Sequence, residues 1–304
     1  MNGLICVLKP PGMSSHDVVN RLRLLTGTKK VGHTGTLDPG AAGVLLVCCG
    51  KATRLIEYLN HNKKYRAEIT FGMSSSTGDS FGELTPGDMP GDISMARLLD
   101  TIPSFTGDIS QVPPMTSAVR HQGKKLYELA RAGKVVERQA RPVKIYSLEM
   151  ARWYQDPGRP RALLDISCSA GTYIRTLCQD IGEKMGCGAY MSFLLRTAVG
   201  EYAIANAHTL EELDHMAREG RLQEAVTGVE RALSFLPEVK INEGALKPVC
   251  SGATLYPPGI KEAPGDIGEG GLAALEWDGR YVAVARAAYD DRGRLCFKPE
   301  KVIL

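Results

Sequence analysis

Tyr65-Arg66-Ala67-Glu68-Ile69-Thr70-Phe71 carries an apolar side chain at every second position. A period of two puts Tyr65, Ala67, Ile69 and Phe71 on one face of a β-strand and Arg66, Glu68 and Thr70 on the other. One apolar and one wetted face suit an antiparallel strand, because parallel strands are covered on both sides and read as unbroken apolar runs. Ala162, Leu164, Ile166 and Cys168 alternate in the same way and predict a second such strand.

Two further strands read as continuous apolar runs. Leu4-Ile5-Cys6-Val7-Leu8 stops at Lys9-Pro10-Pro11-Gly12, where two prolines lack the N–H that a ladder needs, and Val44-Leu45-Leu46-Val47-Cys48 reads as buried. Helices are marked by their caps and spacing. Ser14 and Asp17 form a capping-box pattern ahead of Val18, Leu22 and Leu25, with Gly27 as the stop. Ala52, Leu55, Ile56 and Leu59 mark a short helix, and Leu126 to Ala132 another, closed by Gly133. Thr172 is the expected cap of a helix whose buried stripe is Ile174, Leu177, Ile181 and Met185, ended by glycines 186 and 188. Thr209 with Glu212 opens a helical stretch expected to reach about residue 235, whereas residues 73–94, rich in Gly, Ser, Asp and Pro, read as a long loop. Strands and helices mix without the regular repeat of a parallel sheet, which predicts an α+β architecture. From Pro237 the texture changes. Leu272-Ala273-Ala274-Leu275 and Tyr281-Val282-Ala283-Val284 are short strands between Gly, Asp and Pro clusters, as in a small β-barrel, so domains of 1–237 and 238–304 are expected.

Composition bounds the function. Of 304 residues, 43% are hydrophobic and 23% charged, which is ordinary for a soluble globular protein and supports neither a disordered, a collagen-like nor a membrane chain. The longest apolar run, residues 41–49, is too short to span a bilayer, and Met1-Asn2-Gly3 lacks the basic start of a secretory signal, so the cytoplasm is expected. None of the eight cysteines stands at Cys-x-x-Cys spacing, so reduced buried thiols and no structural metal are expected. The net charge of +3 is unevenly spread: residues 1–72 carry ten Lys/Arg against four Asp/Glu, residues 115–150 eight against three, and residues 73–114 one against six. Two basic faces for a polyanion, or simply a solvated mixed surface, both fit that pattern.

The richest chemistry lies in Gly32-His33-Thr34-Gly35-Thr36-Leu37-Asp38-Pro39-Gly40-Ala41-Ala42-Gly43. Its glycines free the backbone and leave His33 and Asp38 as the ionisable groups of an exposed loop. Such a loop can present a carboxylate; an aspartate before proline also serves as a turn or helix cap.

Lys9-Pro10-Pro11-Gly12-Met13-Ser14-Ser15, the 32–43 loop with Val44-Leu45-Leu46-Val47, Gln111-Val112-Pro113-Pro114-Met115 with Ser117-Ala118, Leu126-Tyr127-Glu128-Leu129-Ala130-Arg131, Gly171-Thr172-Tyr173-Ile174-Arg175-Thr176 and Arg196-Thr197-Ala198-Val199-Gly200 occur in that order. Together they resemble the bacterial tRNA pseudouridine-55 synthase family over residues 4 to about 200. The resemblance implies a pseudouridine synthase core with a mixed, largely antiparallel sheet flanked by helices. It implies an isomerase that converts one uridine in the T-arm of tRNA to pseudouridine without a cofactor, as a monomer, after flipping the nucleotide out of its stack. It makes Asp38 the catalytic carboxylate, with Arg175 pairing with it and favouring its charged form. Tyr65 then stacks on the flipped base, His33 fills the space it leaves, Tyr173 contacts base or ribose, Lys9 braces the turn below and Leu194 lines the pocket. Alternation alone puts Tyr65 in the core, and Lys9 also reads as a solvated lysine. Lys63, Lys64, Arg120, Lys124, Lys125 and Arg141 are candidates for phosphate contacts. Ser76, Leu195 and Arg120 depart from residues common in the family, in places that bear on loop order and RNA contact. Residues 238–304 match in length and placement the family's RNA-binding PUA domain, although a β-domain of other use fits the same residues. An RNA-binding or RNA-folding module, and a related synthase acting on other RNAs, are the alternative functions. The residues leave open whether Asp38 attacks the sugar, adds to the base or removes a ribose proton.

Overall fold

The computed structural model describes residues 1–59, 61–87, 93–155, 159–265 and 267–304. The strand that opens the sequence argument, Lys63–Phe71, lies inside a mixed sheet of ten strands among the described residues. Arg161–Cys168 pairs antiparallel on one side, with Ile166 opposite Tyr65, and Ala189–Val199 on the other, with Arg196 opposite Tyr65. Beyond Arg161–Cys168 come Arg141–Tyr154 and Gly107–Gln111. Ala189–Val199 instead leads, through one short parallel pairing, to Ala42–Cys49 and then to Gly3–Lys9. That parallel junction sets Gly43 beside Arg196, where Gly43 has φ +117° and any Cβ would strike the backbone of Arg196.

Burial follows the alternation. Tyr65, Ala67, Ile69 and Phe71 share one apolar cluster with Ile174, Leu177 and Ile181 of the helix Ile174–Lys184 and with Met185, which caps its C-terminus. On the opposite face Arg66 pairs with Asp165 at 2.7 Å and Arg161 with Glu68 at 3.5 Å. Thr70 departs from the expected wet face: it is buried, and its hydroxyl donates to Ser192 at 2.9 Å.

The Ser14–Asp17 capping box, Gly27 stop and Thr209–Glu212 capping box form as read. Four local expectations are corrected. The stretch around Ala52 is a 3-10 helix, Gly50–Leu55, continued by a turn that still buries Leu59. Thr172 caps nothing: its hydroxyl donates to the Ser169 carbonyl, and the helix begins after Tyr173, whose N–H is taken by Gln111. The helix from Leu210 ends at Arg218, because Gly220 turns the chain at φ +72°; a 3-10 turn and a short helix follow. Residues 73–94 contain a hairpin, Met73–Ser75 with Leu84–Pro86, while 88–92 lie outside the described residues.

From Glu238 a second sheet begins, of five strands among the described residues, in which Leu272–Trp277 and Arg280–Tyr289 are the expected runs. It has its own apolar cluster. Another cluster joins Ala274, Tyr281, Val284 and Ile303 to Leu4, Leu46, Leu55 and Leu233. Cys6, Cys48, Cys49 and Cys168 are free and buried, and burial pushes the Cys48 thiol up to about 12. Among the described residues no helix is long and apolar enough to cross a membrane.

Candidate active site

The 32–43 loop is fixed on both sides of Asp38. Ser15 takes the N–H of Leu37 at 2.8 Å and returns its hydroxyl to the Leu37 carbonyl at 3.0 Å, while Leu37 packs into the sheet's apolar cluster. The Pro39 carbonyl accepts from the Gly12 N–H at 2.8 Å and from Lys9 Nζ at 3.3 Å. Lys9 is fully buried and also donates to the carbonyls of Pro10 and Met13, so its three ammonium protons meet three acceptors from two loops. These contacts tie it to both loops, and it is not a solvated lysine. Burial pulls its pKa down to about 8, against the upward pull of Asp38.

Arg196 holds the other half of the loop. It is 1% exposed, and its guanidinium donates to the carbonyls of Val44 at 2.6 Å, Gly35 at 3.1 Å and Thr36 at 3.5 Å. Lys63 lies alongside, buried on the face of its strand that Tyr65 shares; its ammonium donates to the His61 carbonyl, and burial lowers its pKa to about 8. This corrects its reading as a phosphate contact: the period of two already assigned position 63 to the interior.

Above this base, Asp38 keeps a third of its side chain exposed, at 34%, and meets Arg175 through both oxygens: Nε to Oδ2 at 3.0 Å and Nη2 to Oδ1 at 3.2 Å. Arg175 projects from the first turn of the helix Ile174–Lys184 and is itself buried. Its remaining N–H groups donate to the carbonyls of Thr77 at 2.9 Å and Thr116 at 3.1 Å and to the Thr116 hydroxyl, and Asp79 stands 3.8 Å away. Arg175 pulls Asp38 towards its charged form, but burial outweighs it. Burial pushes the Asp38 carboxyl above its ordinary value; Arg175 and then Lys9 pull it back, and Asp79 adds to the rise.

Tyr65 is 7% exposed at the start of its strand, with Arg196 as its cross-strand partner, and burial pushes its phenol up while Arg196 pulls it down. Leu194 packs in the same apolar cluster as Tyr65 and Leu37, opposite Ala67. Tyr173 is half-buried at the helix start, gripped by Gln111, which accepts from its N–H at 3.0 Å and donates to its carbonyl at 3.3 Å. His33 ends the strand Val31–His33 with Nδ1 buried and unpaired among the described residues; burial lowers its pKa, with Arg196 acting in the same sense. Of the basic candidates, Lys64, Arg120, Lys124 and Arg141 are exposed, and Arg120 and Arg141 line a cavity of about 350 Å³ with Arg138.

Arg196, Gln111, Asp79 and Thr116 were not foreseen as parts of the site. For Arg196 the signal was present: it stands between Leu194 and Ala198 at the apolar parity of its strand, where a charge demands a purpose. Gln111 and Thr116 act across distances of about 60 residues, for which local pattern holds no sign.

The fold is of a class shared with a solved chain from an H/ACA RNP bound to a substrate RNA containing 2′-deoxyuridine. That chain matches at TM-score 0.75 and 28% identity, over 99% of this chain and 85% of its own. Residues 23–174 match the TruB family pseudouridylate synthase (N terminal domain), residues 175–234 the tRNA pseudouridylate synthase B C-terminal domain and residues 237–292 the PUA domain. Two curated relatives named tRNA pseudouridine synthase B are similar throughout. That of Pelotomaculum thermopropionicum is 52% identical over 308 residues, covering 100% of this chain and 97% of the relative. That of Moorella thermoacetica is 43% identical over 303 residues, covering 99% of each. The chain belongs to the TruB family of pseudouridylate synthases.

Proposed function

We propose that this enzyme isomerises uridine to pseudouridine at position 55, in the T-arm of tRNA, with Asp38 as its catalytic carboxylate. The observation that carries the reading is the two-point contact between Asp38 and Arg175, held on a loop whose carbonyls are fixed from below. The relatives are tRNA pseudouridine synthases by name, and family membership extends that activity to this chain.

The reaction detaches uracil from its ribose, turns it and rejoins it through carbon. No atom is gained or lost and no redox change occurs, so the chemistry asks for a positioned carboxylate rather than a cofactor. A target in folded RNA must first leave its stack, at a cost of roughly a few kcal/mol that pocket contacts offset. Tyr65 and Tyr173 serve as the aromatic and polar walls for the extruded base, Leu194 as an apolar wall, and His33 occupies the space the base vacates. Arg175 keeps Asp38 ionised against burial, and Lys9 fixes the Pro39 end of its loop. Residues 238–304 form a PUA-like RNA-binding domain behind a catalytic domain of 1–237, and the enzyme works as a cytoplasmic monomer on tRNA.

Asp38→Asn is the direct test. The variant should bind a T-arm stem-loop transcript while forming no pseudouridine by carbodiimide-primer extension, a loss of at least about 10²–10⁴-fold for a removed acid–base or nucleophilic group. Normal turnover by Asp38→Asn would refute the assignment.

A further inference from the structure

Exposure alone does not single out Phe81: at 75% it matches Leu24 at 75% and Val135 at 82%, and isolated exposed apolar residues are ordinary. Its seat does. The ring lies against the backbone of Gly40, two residues from Asp38, so closely that a methyl group added at Gly40 would overlap ring carbons Cε2 and Cζ. The turn that carries Phe81 is firmly tied. Asp79 Oδ1 accepts from the Phe81 N–H at 3.0 Å and from the Thr77 hydroxyl at 2.6 Å, and the Asp79 carbonyl accepts from the Ser75 hydroxyl at 2.5 Å. Met191 of the main sheet donates its N–H to the Gly78 carbonyl at 3.0 Å. The second oxygen of Asp79 faces Arg175 at 3.8 Å, so one turn both flanks the ion pair and holds an aromatic ring over the catalytic loop.

We propose that Phe81 is a stacking platform for an RNA base next to the flipped uridine, a contact that nothing else about the site requires. One edge of the ring rests on a glycine, which has no side chain to cover it, and most of the ring surface remains open to solvent at the rim where Asp38 is reached. An aromatic ring held still on a rigid turn offers a π-face to any base, and stacking of this kind tolerates sequence while orienting the strand. The pairing with Gly40 locates the stacked base beside Asp38 rather than elsewhere on the RNA surface. The inference rests on the proposed action on tRNA and adds to it a determinant of how the substrate is seated.

The experiment measures kcat and KM for pseudouridine formation on a T-arm stem-loop transcript with Phe81→Ala, Phe81→Leu and Phe81→Tyr, and with Gly40→Ala in the native and Phe81→Ala backgrounds. Phe81→Ala and Phe81→Leu should lower kcat/KM roughly 5- to 150-fold, mainly through KM, the equivalent of about 1–3 kcal/mol for one stacked base. Phe81→Tyr should restore most of it, and Gly40→Ala should cost activity only while the Phe81 ring is there to be displaced. Melting temperatures should stay near native, since the ring is largely exposed. Full activity in Phe81→Ala, or equal activity in Phe81→Leu and the native enzyme, overturns the stacking role while leaving the isomerase reading intact. A native chain that forms no pseudouridine on the transcript overturns both.

Discussion

Arg175 and Arg196 come from different elements, a helix and a strand, to the same loop, and both are buried, yet their partners differ in kind. Arg175 faces carboxylates, Asp38 at 3.0 Å and Asp79 at 3.8 Å, in addition to the acceptors of Thr77 and Thr116. Arg196 donates to backbone carbonyls of Gly35, Thr36 and Val44. The first arrangement adjusts the charge of a reacting group; the second fixes the path of the chain that carries it. A carbonyl cannot titrate, so contacts of the second kind hold their geometry at any pH. A carboxylate can, which makes the first kind sensitive to every neighbouring charge.

Substituting each arginine separates the two roles. Arg175→Met removes the cation that favours ionised Asp38, so the carboxyl should rise further. Activity at pH 7 should fall about tenfold to a thousandfold, and the acid limb of kcat/KM should move to higher pH, which a pH–rate series reads directly. Arg196→Met leaves buried carbonyls of the loop unpaired, each at a cost of about 1–3 kcal/mol, so stability should drop by roughly 3 kcal/mol or more in urea unfolding. An Arg196→Met protein of native stability, or an Arg175→Met protein with an unmoved acid limb, breaks the distinction.

The same contrast separates what the sequence discloses from what it conceals. Alternation at 65–71 and 162–168 placed the centre of the sheet, and the capping boxes at Ser14 and Thr209 placed two helix starts, because each is a short-range pattern with one physical cause. The partners of Arg196, more than 150 residues away, follow from the parallel junction with Ala42–Cys49, which no local spacing announces. Thr172 failed as a cap because the helix starts one residue later, after Tyr173, which Gln111 of a distant strand grips, and the Thr172 hydroxyl donates to the Ser169 carbonyl instead. The carboxylate loop itself stood out through its glycines and the family resemblance, yet the direction of the Asp38 pKa did not. That direction depends on burial and on Asp79, both products of the tertiary fold.

Lys9 sits between the two kinds of contact, since it binds carbonyls but can titrate. Its pKa of about 8 means that the ammonium loses a proton well below the 10.5 of an unfolded lysine, leaving two N–H donors for three carbonyls. Activity should therefore decline above about pH 8 as the Pro39 end of the loop loosens. Stability should move the other way: between pH 8 and 10.5 the unfolded chain holds more protons, so this group's contribution to folding rises with pH. Lys63, also near 8, is the competing source of such a limb. A Lys63→Gln variant that keeps the alkaline decline assigns it to Lys9, and one that abolishes it assigns it to Lys63.

The smallest effect tests the electrostatics most finely. Asp79 raises the Asp38 carboxyl and also anchors the turn through Oδ1, so Asp79→Asn deletes the charge while keeping an acceptor for Thr77 and for the Phe81 N–H. Without that charge the Arg175 guanidinium acts on Asp38 alone. Asp38 should then ionise more readily, and the acid limb of kcat/KM should move to lower pH, opposite in sign to the shift from Arg175→Met. The native and Asp79→Asn profiles should differ chiefly on the acid side, where protonation of Asp38 limits the rate. A shift to higher pH in Asp79→Asn would mean that the carboxylate at 79 acts by holding Arg175 in place rather than through its charge on Asp38. Arg175 would then be held by a shared pair of carboxylates, and the contrast with Arg196 would narrow to one of chemistry rather than of purpose.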